Sequence, residues 1–172
     1  MAARRLLKKG RKRRLSRTKK GKDEQYLLTD KNGYIVATTG IIAGHHNDAF
    51  DVKGTLKKLF ADMKRCHLDY KGALFNADSS FDARAARKTL WNYGVIPNIA
   101  ENKRNRKTIK RGRKRHFDGD VYKHRFAIER TFAWIDKFRT LLIRFERKDV
   151  YWLGFHYLAF TLINLRNLLA KA

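Results

Sequence analysis

The feature that most restricts the fold of this chain is a predicted β-hairpin followed by alternating helices and strands. Two apolar or β-branched runs, 26–29 and 34–43, flank Asn32-Gly33, and Asn-Gly between such runs predicts a tight turn. Apolar spacing then predicts helices over about 48–64, 81–93, 121–138 and 151–169, with short strands over about 73–77 and 95–100. Pro97 favours an edge position for the last strand. This order predicts an α/β domain with a mixed sheet flanked by helices.

Basic residues are concentrated in two segments of the chain. The 172 residues include 41 Lys and Arg against 16 Asp and Glu, which gives a formal net charge of +25. Residues 1–22 contain twelve of the basic residues and no acid, which predicts a disordered basic arm ahead of a folded domain over 23–172. Charge of this density repels itself unless a polyanion neutralises it. Nucleic acid is the obvious polyanion, but composition alone leaves an acidic membrane surface or non-specific binding open.

The second basic segment, 101–115, lies inside the predicted domain and is predicted to be a long loop. Loops of that length within a domain usually have a function. We expect its basic side chains to bind the DNA backbone without reading base sequence, with a merely solvated surface as the alternative. These side chains are Lys103, Arg104, Arg106, Lys107, Lys110, Arg111, Arg113, Lys114 and Arg115.

Cysteine content and the apolar run near the C-terminus bear on the compartment. Cys66 is the only cysteine, so an intramolecular disulfide and a Cys-based zinc site are excluded, which fits a reducing cytoplasm. The apolar run 151–165 contains His156 and Asn164 and is too short and polar to span a bilayer. We therefore expect a cytoplasmic, nucleoid-associated protein with no membrane partner.

The three tryptophans allow two interpretations. Trp91, Trp134 and Trp152 occupy apolar positions of predicted helices. This placement favours packing in the core over stacking on nucleic-acid bases.

Two carboxylates occupy positions that suit phosphate chemistry. Asp78 ends the predicted strand 73–77, and parallel sheets bind ligands at the carboxyl ends of their strands. Tyr122, Arg125, Glu129 and Asp136 follow a spacing that places them on one face of a helix. Hard cations such as Mg²⁺ and Mn²⁺ take carboxylate ligands, so Asp78 and Glu129 supply part of a metal site. An ion pair between Arg125 and Glu129 is the structural alternative, and the pattern alone leaves both open.

Four segments together resemble a known family. They are FNADSSFD at 75–82, GVIPNI at 94–99, NKRN at 102–105 and YKHRFAIERTFAW at 122–134. Their order and spacing are similar to those of bacterial insertion-sequence transposases with a ribonuclease-H-like Asp-Asp-Glu (DDE) domain, over roughly residues 23–169. The resemblance implies a ribonuclease-H-like mixed sheet flanked by helices and metal-dependent cleavage and strand transfer of DNA.

The resemblance also implies roles for individual residues. Asp78 matches the second catalytic Asp and Glu129 the third acid, and both would bind Mg²⁺ or Mn²⁺. Tyr122 and Arg125 would contact phosphate or position the Glu. The motif's Lys position holds Asp136, and Lys137, one place later and about 100° further around an ideal helix, is an expected DNA contact.

The first acid of the family has no counterpart in the sequence. It lies on a strand that precedes the hairpin, whereas Asp30 falls in the predicted turn and Asp23 borders the basic arm. We therefore expect a sheet without its first strand, in a chain that is a fragment or downstream reading frame of a transposase and is inactive alone. Its expected partners are transposon-end and target DNA, together with a second copy of the chain or an upstream transposase polypeptide. The alternatives are a non-catalytic DNA-binding protein or transposition regulator and, less specifically, a metal nuclease of the same fold.

Overall fold

Strands and helices alternate through the part of the chain that the structure describes. The computed structural model describes residues 5–10, 23–43, 51–102, 115–142 and 144–170. The strands are β1 (Arg5–Gly10), β2 (Asp23–Asp30), β3 (Ile35–Thr38), β4 (Ile42–Ala43), β5 (Leu74–Ala77) and β6 (Ile96–Ile99). The helices are α1 (Val52–Arg65), α2 (Arg84–Asn92), α3 (Gly119–Lys123), α4 (Phe126–Ile135), α5 (Arg139–Leu142) and α6 (Asp149–Leu169). A 3₁₀ turn, Ser79–Phe81, lies between β5 and α2.

The strands form a mixed sheet. Their order is β3-β2-β1-β5-β6, with β4 paired to β2. β2 is antiparallel to both β1 and β3, whereas β5 is parallel to both β1 and β6. β6 is therefore an edge strand, which agrees with the position predicted from Pro97. The predicted fold class, an α/β domain with a ribonuclease-H-like mixed sheet flanked by helices, is confirmed.

The structure corrects the expectation of a missing first strand. Residues Arg5–Gly10 form β1, which pairs with β2 from Asp30 to Gln25 and with Phe75–Ala77 of β5. The prediction of a disordered arm is accordingly wrong for these six residues, while residues 1–4 and 11–22 lie outside the described part. Without β1, the facing edges of β2 and β5 would leave rows of backbone N–H and C=O groups unpaired, and a strand satisfies them whatever its side-chain charge. β1 contains no Asp or Glu, so it supplies the strand without the first acid.

The hairpin turn between β2 and β3 is stabilised by hydrogen bonds between its own residues. The Asp30 carboxylate accepts hydrogen bonds from the backbone N–H groups of Asn32 (2.9 Å) and Tyr34 (2.8 Å). Gly33 has a φ of +92°, a conformation that favours glycine. The Thr131 hydroxyl of α4 donates to the Gly33 carbonyl at 3.0 Å, so the turn also fixes α4. Asp30 is thus a turn residue, as predicted.

The core consists of two clusters, one on each face of the sheet. Successive strand residues point to opposite faces, so Tyr26 and Leu28 enter one cluster and Leu27 enters the other. The first cluster joins the sheet to α1 and α2 through residues that include Leu56, Leu59, Phe60, Met63, Phe75 and Leu90. The second joins it to α4, α5 and α6 through Ile128, Ile135, Leu141, Phe160 and Ile163. The helix that carries Glu129 is held in place by this second cluster.

Several helix ends differ from the sequence predictions. α1 begins at Val52, where the Asp51 carboxylate accepts the Gly54 N–H at 3.1 Å, and residues 44–50 lie outside the described ranges. The helix predicted over 121–138 is divided into α3 and α4 by a turn at His124 and Arg125. α2 stops before Gly94, whose φ of +70° matches the predicted cap.

The tryptophans divide between the core and the surface. Trp152 of α6 is 3% exposed, as predicted, and Trp134 packs partly buried against the second cluster. Trp91 is 54% exposed, so its assignment to the core is wrong. The reason is that α2 packs on the first cluster through Ala86 and Leu90, which turns position 91 away from the sheet. Among the described helices, none combines the length and apolarity needed to cross a membrane.

Candidate active site

Asp78 lies where the sequence places it, immediately after the last residue of β5. Its Oδ1 accepts a hydrogen bond from the Ser79 N–H at 2.6 Å and a longer one from the Ser79 hydroxyl at 3.4 Å. These bonds cap the 3₁₀ turn and fix the carboxylate at the end of the strand. In the described part of the chain, Oδ2 has no hydrogen-bond partner, so this half-buried carboxylate retains an oxygen for a ligand.

Tyr122 of α3 and Arg125, which directly precedes α4, contact each other. The Arg125 guanidinium carbon is 5.3 Å from the centroid of the Tyr122 ring, and the guanidinium also hydrogen-bonds the Tyr122 hydroxyl. Phe126 contacts Arg125 at the same distance, and the Phe117 ring lies 5.1 Å from that of Tyr122. A cation held between two aromatic rings is restricted in orientation and is presented as a fixed donor.

The pKa of Tyr122 is influenced by the charge of Asp78. Burial raises this pKa above the ordinary value of 10.0, and the negative charge of Asp78 raises it further, whereas the charge and hydrogen bond of Arg125 oppose the rise. The net shift is upward, so the phenol is neutral and a donor at physiological pH. Tyr122 and Arg125, two of the four predicted active-site residues, are thus in contact, and the charge of a third, Asp78, acts on Tyr122.

Glu129, the fourth predicted residue, lies one turn beyond Arg125 on α4. It is partly exposed next to the buried Ile128, and α4 packs against β1, β2 and α6. Asp78 and Glu129 are donors of the type that hard cations prefer. However, nowhere in the described residues do three metal-binding side chains converge. The donor chemistry suits Mg²⁺ or Mn²⁺, but the carboxylate set within the described part is incomplete.

A buried asparagine pair, which sequence analysis missed, connects α3 to the strand that ends at Asp78. Asn76 of β5 and Asn98 of β6 are 1% and 0% exposed, and the Asn98 amide donates to the Asn76 carbonyl oxygen at 2.6 Å. Asn76 also donates to the Val121 carbonyl at 2.8 Å, and Asn98 exchanges hydrogen bonds with the Asp118 backbone at 2.7 and 2.9 Å. The segment that carries Tyr122 is thereby fixed to the sheet. The sequence did contain a signal for this pair, namely one Asn within each of two short apolar strands.

Asp82 joins the two ends of the basic segment. Its carboxylate, 5% exposed, accepts hydrogen bonds from the Asn102 N–H (3.0 Å) and from Arg87 (2.8 Å) and Arg115 (2.6 Å). Burial alone would raise the pKa of Asp82, but the Asn102 hydrogen bond and the two arginines outweigh it, so the pKa is lowered. Asn102 and Arg115 flank residues 103–114, so the two residues on either side of this segment are fixed at one carboxylate.

The remaining predicted DNA contacts fall in two groups. The side chains predicted to bind DNA between Lys103 and Lys114 lie outside the described residues. Arg115 is described, and part of its binding capacity is taken by Asp82. Lys137 is exposed, two residues after Ile135, the last residue of α4.

The fold and these residues define a ribonuclease-H-like α/β domain with an acidic residue at the carboxyl end of β5, an interior strand of the sheet. The family model described as the transposase DDE domain matches residues 75–166, more than half of the chain. The chain therefore belongs to the DDE-domain transposase family. The match covers Asp78, Tyr122, Arg125 and Glu129.

A relative with a similar sequence agrees with this assignment. The chain is 31% identical over 129 residues to a Burkholderia cepacia protein named as a transposase for insertion sequence element IS402. The alignment covers 73% of this chain and 54% of the relative, so the chain spans about half the length of that protein. Among solved structures, it is similar to the Mos1 transposase paired-end complex with left transposon end, with 19% identity and a TM-score of 0.41. That match covers 54% of this chain and 34% of the other.

Proposed function

We propose that this chain supplies part of the catalytic centre of an insertion-sequence DDE transposase, which cleaves DNA and transfers strands by metal-dependent phosphoryl transfer. The observation that carries the proposal is the carboxylate of Asp78 at the end of β5, whose negative charge acts on Tyr122, the residue that contacts Arg125. Ligands of α/β sheets bind at this end of parallel strands. A carboxylate, a neutral phenol and a fixed guanidinium together suit a phosphodiester that is bound with a divalent cation.

Each of the four side chains has a proposed role. Asp78 and Glu129 would hold Mg²⁺ or Mn²⁺ through carboxylate oxygens. When bound, such ions help to activate an attacking oxygen and offset charge on the phosphate. Arg125 would donate to a non-bridging phosphate oxygen, because a guanidinium is always protonated and presents paired N–H donors. Tyr122 would donate its O–H to phosphate or hold Arg125 in place.

The chain by itself is proposed to be inactive in DNA cleavage. β1 occupies the centre of the sheet but contains no acid, and the described residues offer no third metal ligand beside Asp78 and Glu129. The missing carboxylate would come from an upstream transposase polypeptide, either joined to this chain or acting in trans. The substrates would be transposon ends and target DNA at the nucleoid of the cytoplasm.

Plasmid cleavage in Mg²⁺ or Mn²⁺ tests this proposal, with the chain alone compared with the chain joined to its upstream polypeptide. We expect no nicking by the chain alone and cleavage by the joined protein. Asp78→Ala or Glu129→Ala should lower the cleavage rate of the joined protein about 100-fold or more, since even outer-shell partners of a metal are worth about 10–100-fold. Asp136→Ala, which removes an exposed acid at the end of the same helix, is the matched control and should leave the rate unchanged.

Two results would contradict parts of the proposal. If the pure chain nicks DNA in a metal-dependent way and Asp78→Ala abolishes this nicking, the chain is active alone. That result would contradict the proposed inactivity but would support the proposed site. Equal cleavage by the joined protein and its Asp78→Ala variant would remove Asp78 from the catalytic centre.

A non-catalytic transposition regulator is the second candidate function. It is favoured by the lack of an acid in β1 and of three converging metal ligands among the described residues. A regulator would bind DNA in a salt-sensitive way that neither Asp78→Ala, Glu129→Ala nor chelation of metal changes. A simple nuclease would instead cleave without joining ends.

A further inference from the structure

A basic cavity lies between α2 and the edge strand β6, and none of the proposed active-site residues lines it. Its volume is about 540 Å³. Arg84, Lys88 and Trp91 line it from α2, Pro97 from β6, and Arg115 from the segment that leads to α3. Among the described residues, the lining contains no acidic side chain. The cavity therefore combines positive charge with an aromatic surface.

The exposed tryptophan is the unusual component of this cavity. Trp91 has 54% of its surface exposed, although a buried aromatic of this size contributes substantially to stability. Arg84, Lys88 and Trp91 follow a spacing of four and three residues, which places them on one exposed face of α2. The ring thus lies on the same strip of helix as two cations. A flat ring next to fixed positive charges presents one surface for stacking and one for anions.

The described residues do not neutralise all the cations of the cavity. Arg87 is held by Asp82 and by the Ile99 carbonyl at 2.8 Å, and Arg115 shares the same Asp82 carboxylate. Arg84 and Lys88 form no ion pair with any residue in the described ranges. Asp82 serves both arginines and Glu101 also pairs with Arg115 at 4.0 Å, which leaves two further cations for an anionic ligand.

We propose that this cavity binds one unpaired nucleotide of a DNA strand. The base would stack on Trp91 and the adjoining phosphate would lie against Arg84 and Lys88. The volume falls within the range of about 300–1,000 Å³ that is usual for small-ligand sites. The base must be unpaired, because both faces of a base inside a duplex are covered by its neighbours. The choice of DNA as the strand rests on the proposed transposase function.

Binding of a labelled single-stranded deoxythymidine oligonucleotide to the full chain, measured by fluorescence anisotropy in EDTA, tests the proposal. Trp91→Ala should weaken binding roughly 5- to 150-fold, the effect of losing one aromatic stacking contact. Trp91→Phe should keep most of the affinity, because it keeps a ring. Binding of the matched duplex should be equal in the wild-type chain and the Trp91→Ala variant. Trp91 is exposed, so the variants should fold, which thermal unfolding would verify.

Lysine variants test the phosphate contact. Lys88→Ala should reduce single-strand affinity and lower the slope of log affinity against log salt by about 0.7. Lys64→Ala removes an equally exposed charge at the end of α1 and should leave this slope unchanged. Equal slopes for the two variants would overturn the phosphate contact at this cavity.

Other ligands give distinguishable outcomes. Unchanged single-strand binding in Trp91→Ala, or parallel losses for single strand and duplex, would overturn the proposal. If the matching RNA binds more tightly than the DNA, the cavity is assigned to RNA. If thymidine monophosphate binds as tightly as the oligonucleotide, the cavity is assigned to a free nucleotide. Either result would overturn the assignment to a DNA strand. Because this assay excludes metal and needs no cleavage, Trp91-dependent binding stands even if the metal and cleavage tests of the proposed function fail.

Discussion

The side-chain amide of Asn98 donates a hydrogen bond of 2.6 Å to the side-chain oxygen of Asn76, and both residues are fully buried. This bond connects two neighbouring parallel strands through their side chains. The second hydrogen bonds of each residue reach the backbone of Asp118 and Val121, at the start of α3. Two asparagines therefore fix the position of Tyr122 relative to Asp78, because Asn76 is on the strand that ends at Asp78.

Asn98→Ala should destabilise the protein by on the order of 3 kcal/mol, because it leaves buried polar groups of Asn76 and Asp118 without partners. Urea unfolding monitored by circular dichroism gives the free energy of unfolding. Asn92→Ala, at an exposed position, is the control and should change it by less than about 0.5 kcal/mol. A loss of the same small size in Asn98→Ala would show that the pair does not anchor α3.

Tyr122 should ionise at a higher pH than an ordinary tyrosine. Burial raises its pKa above 10.0, so the stability linked to its neutral form is complete below pH 10.0 and is lost as pH rises through the raised pKa. Ultraviolet titration of phenolate should contain a late component that Tyr122→Phe removes. Asp78→Asn should move this component to lower pH, because the Asp78 charge contributes to the rise, whereas the exposed Asp136→Asn should not. If this component does not shift in Asp78→Asn, the charge of Asp78 does not act on Tyr122.

Asp82 should contribute to stability at neutral pH and lose that contribution in acid. Its folded-state pKa lies below the ordinary 3.8, so the contribution is complete above pH 3.8 and declines as pH falls through the lowered value. Free energies of unfolding measured from neutral pH into this acid range should converge for the wild-type chain and Asp82→Asn. The control is Asp62→Asn, which removes the acid of the partly exposed ion pair with Arg65 on α1. Its free energy of unfolding should change with pH as that of the wild-type chain does. Parallel profiles for wild type and Asp82→Asn would contradict the linkage.

Restoring an acid in β1 should restore metal binding. Leu7 of β1 is paired with Ala77, the last residue of β5. Lys8 and Asp78 are the residues that directly follow this pair in their segments. Lys8→Asp should tighten Mn²⁺ binding about tenfold or more, since a further carboxylate ligand is added. Isothermal titration of the chain with Mn²⁺ measures the effect. Lys8→Asn removes the same positive charge without adding a ligand, and a gain of equal size there would show that the effect is only electrostatic.

Combining Lys8→Asp with Asp78→Ala gives the sharper result. The gain in Mn²⁺ affinity should disappear if the two carboxylates share an ion. An undiminished gain in the double variant would place the new carboxylate in a separate site.

The features that the sequence by itself determined are those that depend on residues close together in the chain. The hairpin turn follows from Asp30, Asn32 and Gly33, which bond within one turn, and the end of α2 follows from the left-handed conformation that Gly94 adopts. Asp78 could be placed at a strand end because a short apolar run precedes it. The Tyr122 and Arg125 contact follows from their spacing of three residues within one short stretch.

Other features were decided only by the tertiary structure. β1 is a strand because it fills a gap between β2 and β5, whose residues lie up to 70 positions away, and this pairing overrides its strongly basic composition. Trp91 and Leu90 are neighbours in one apolar pattern, but packing of α2 on the sheet buries Leu90 and leaves Trp91 exposed. The asparagine pair and the Asp82 contacts also join distant segments. Periodicity records which residues can share a face, whereas the arrangement of the elements decides which face is buried and which polar groups meet.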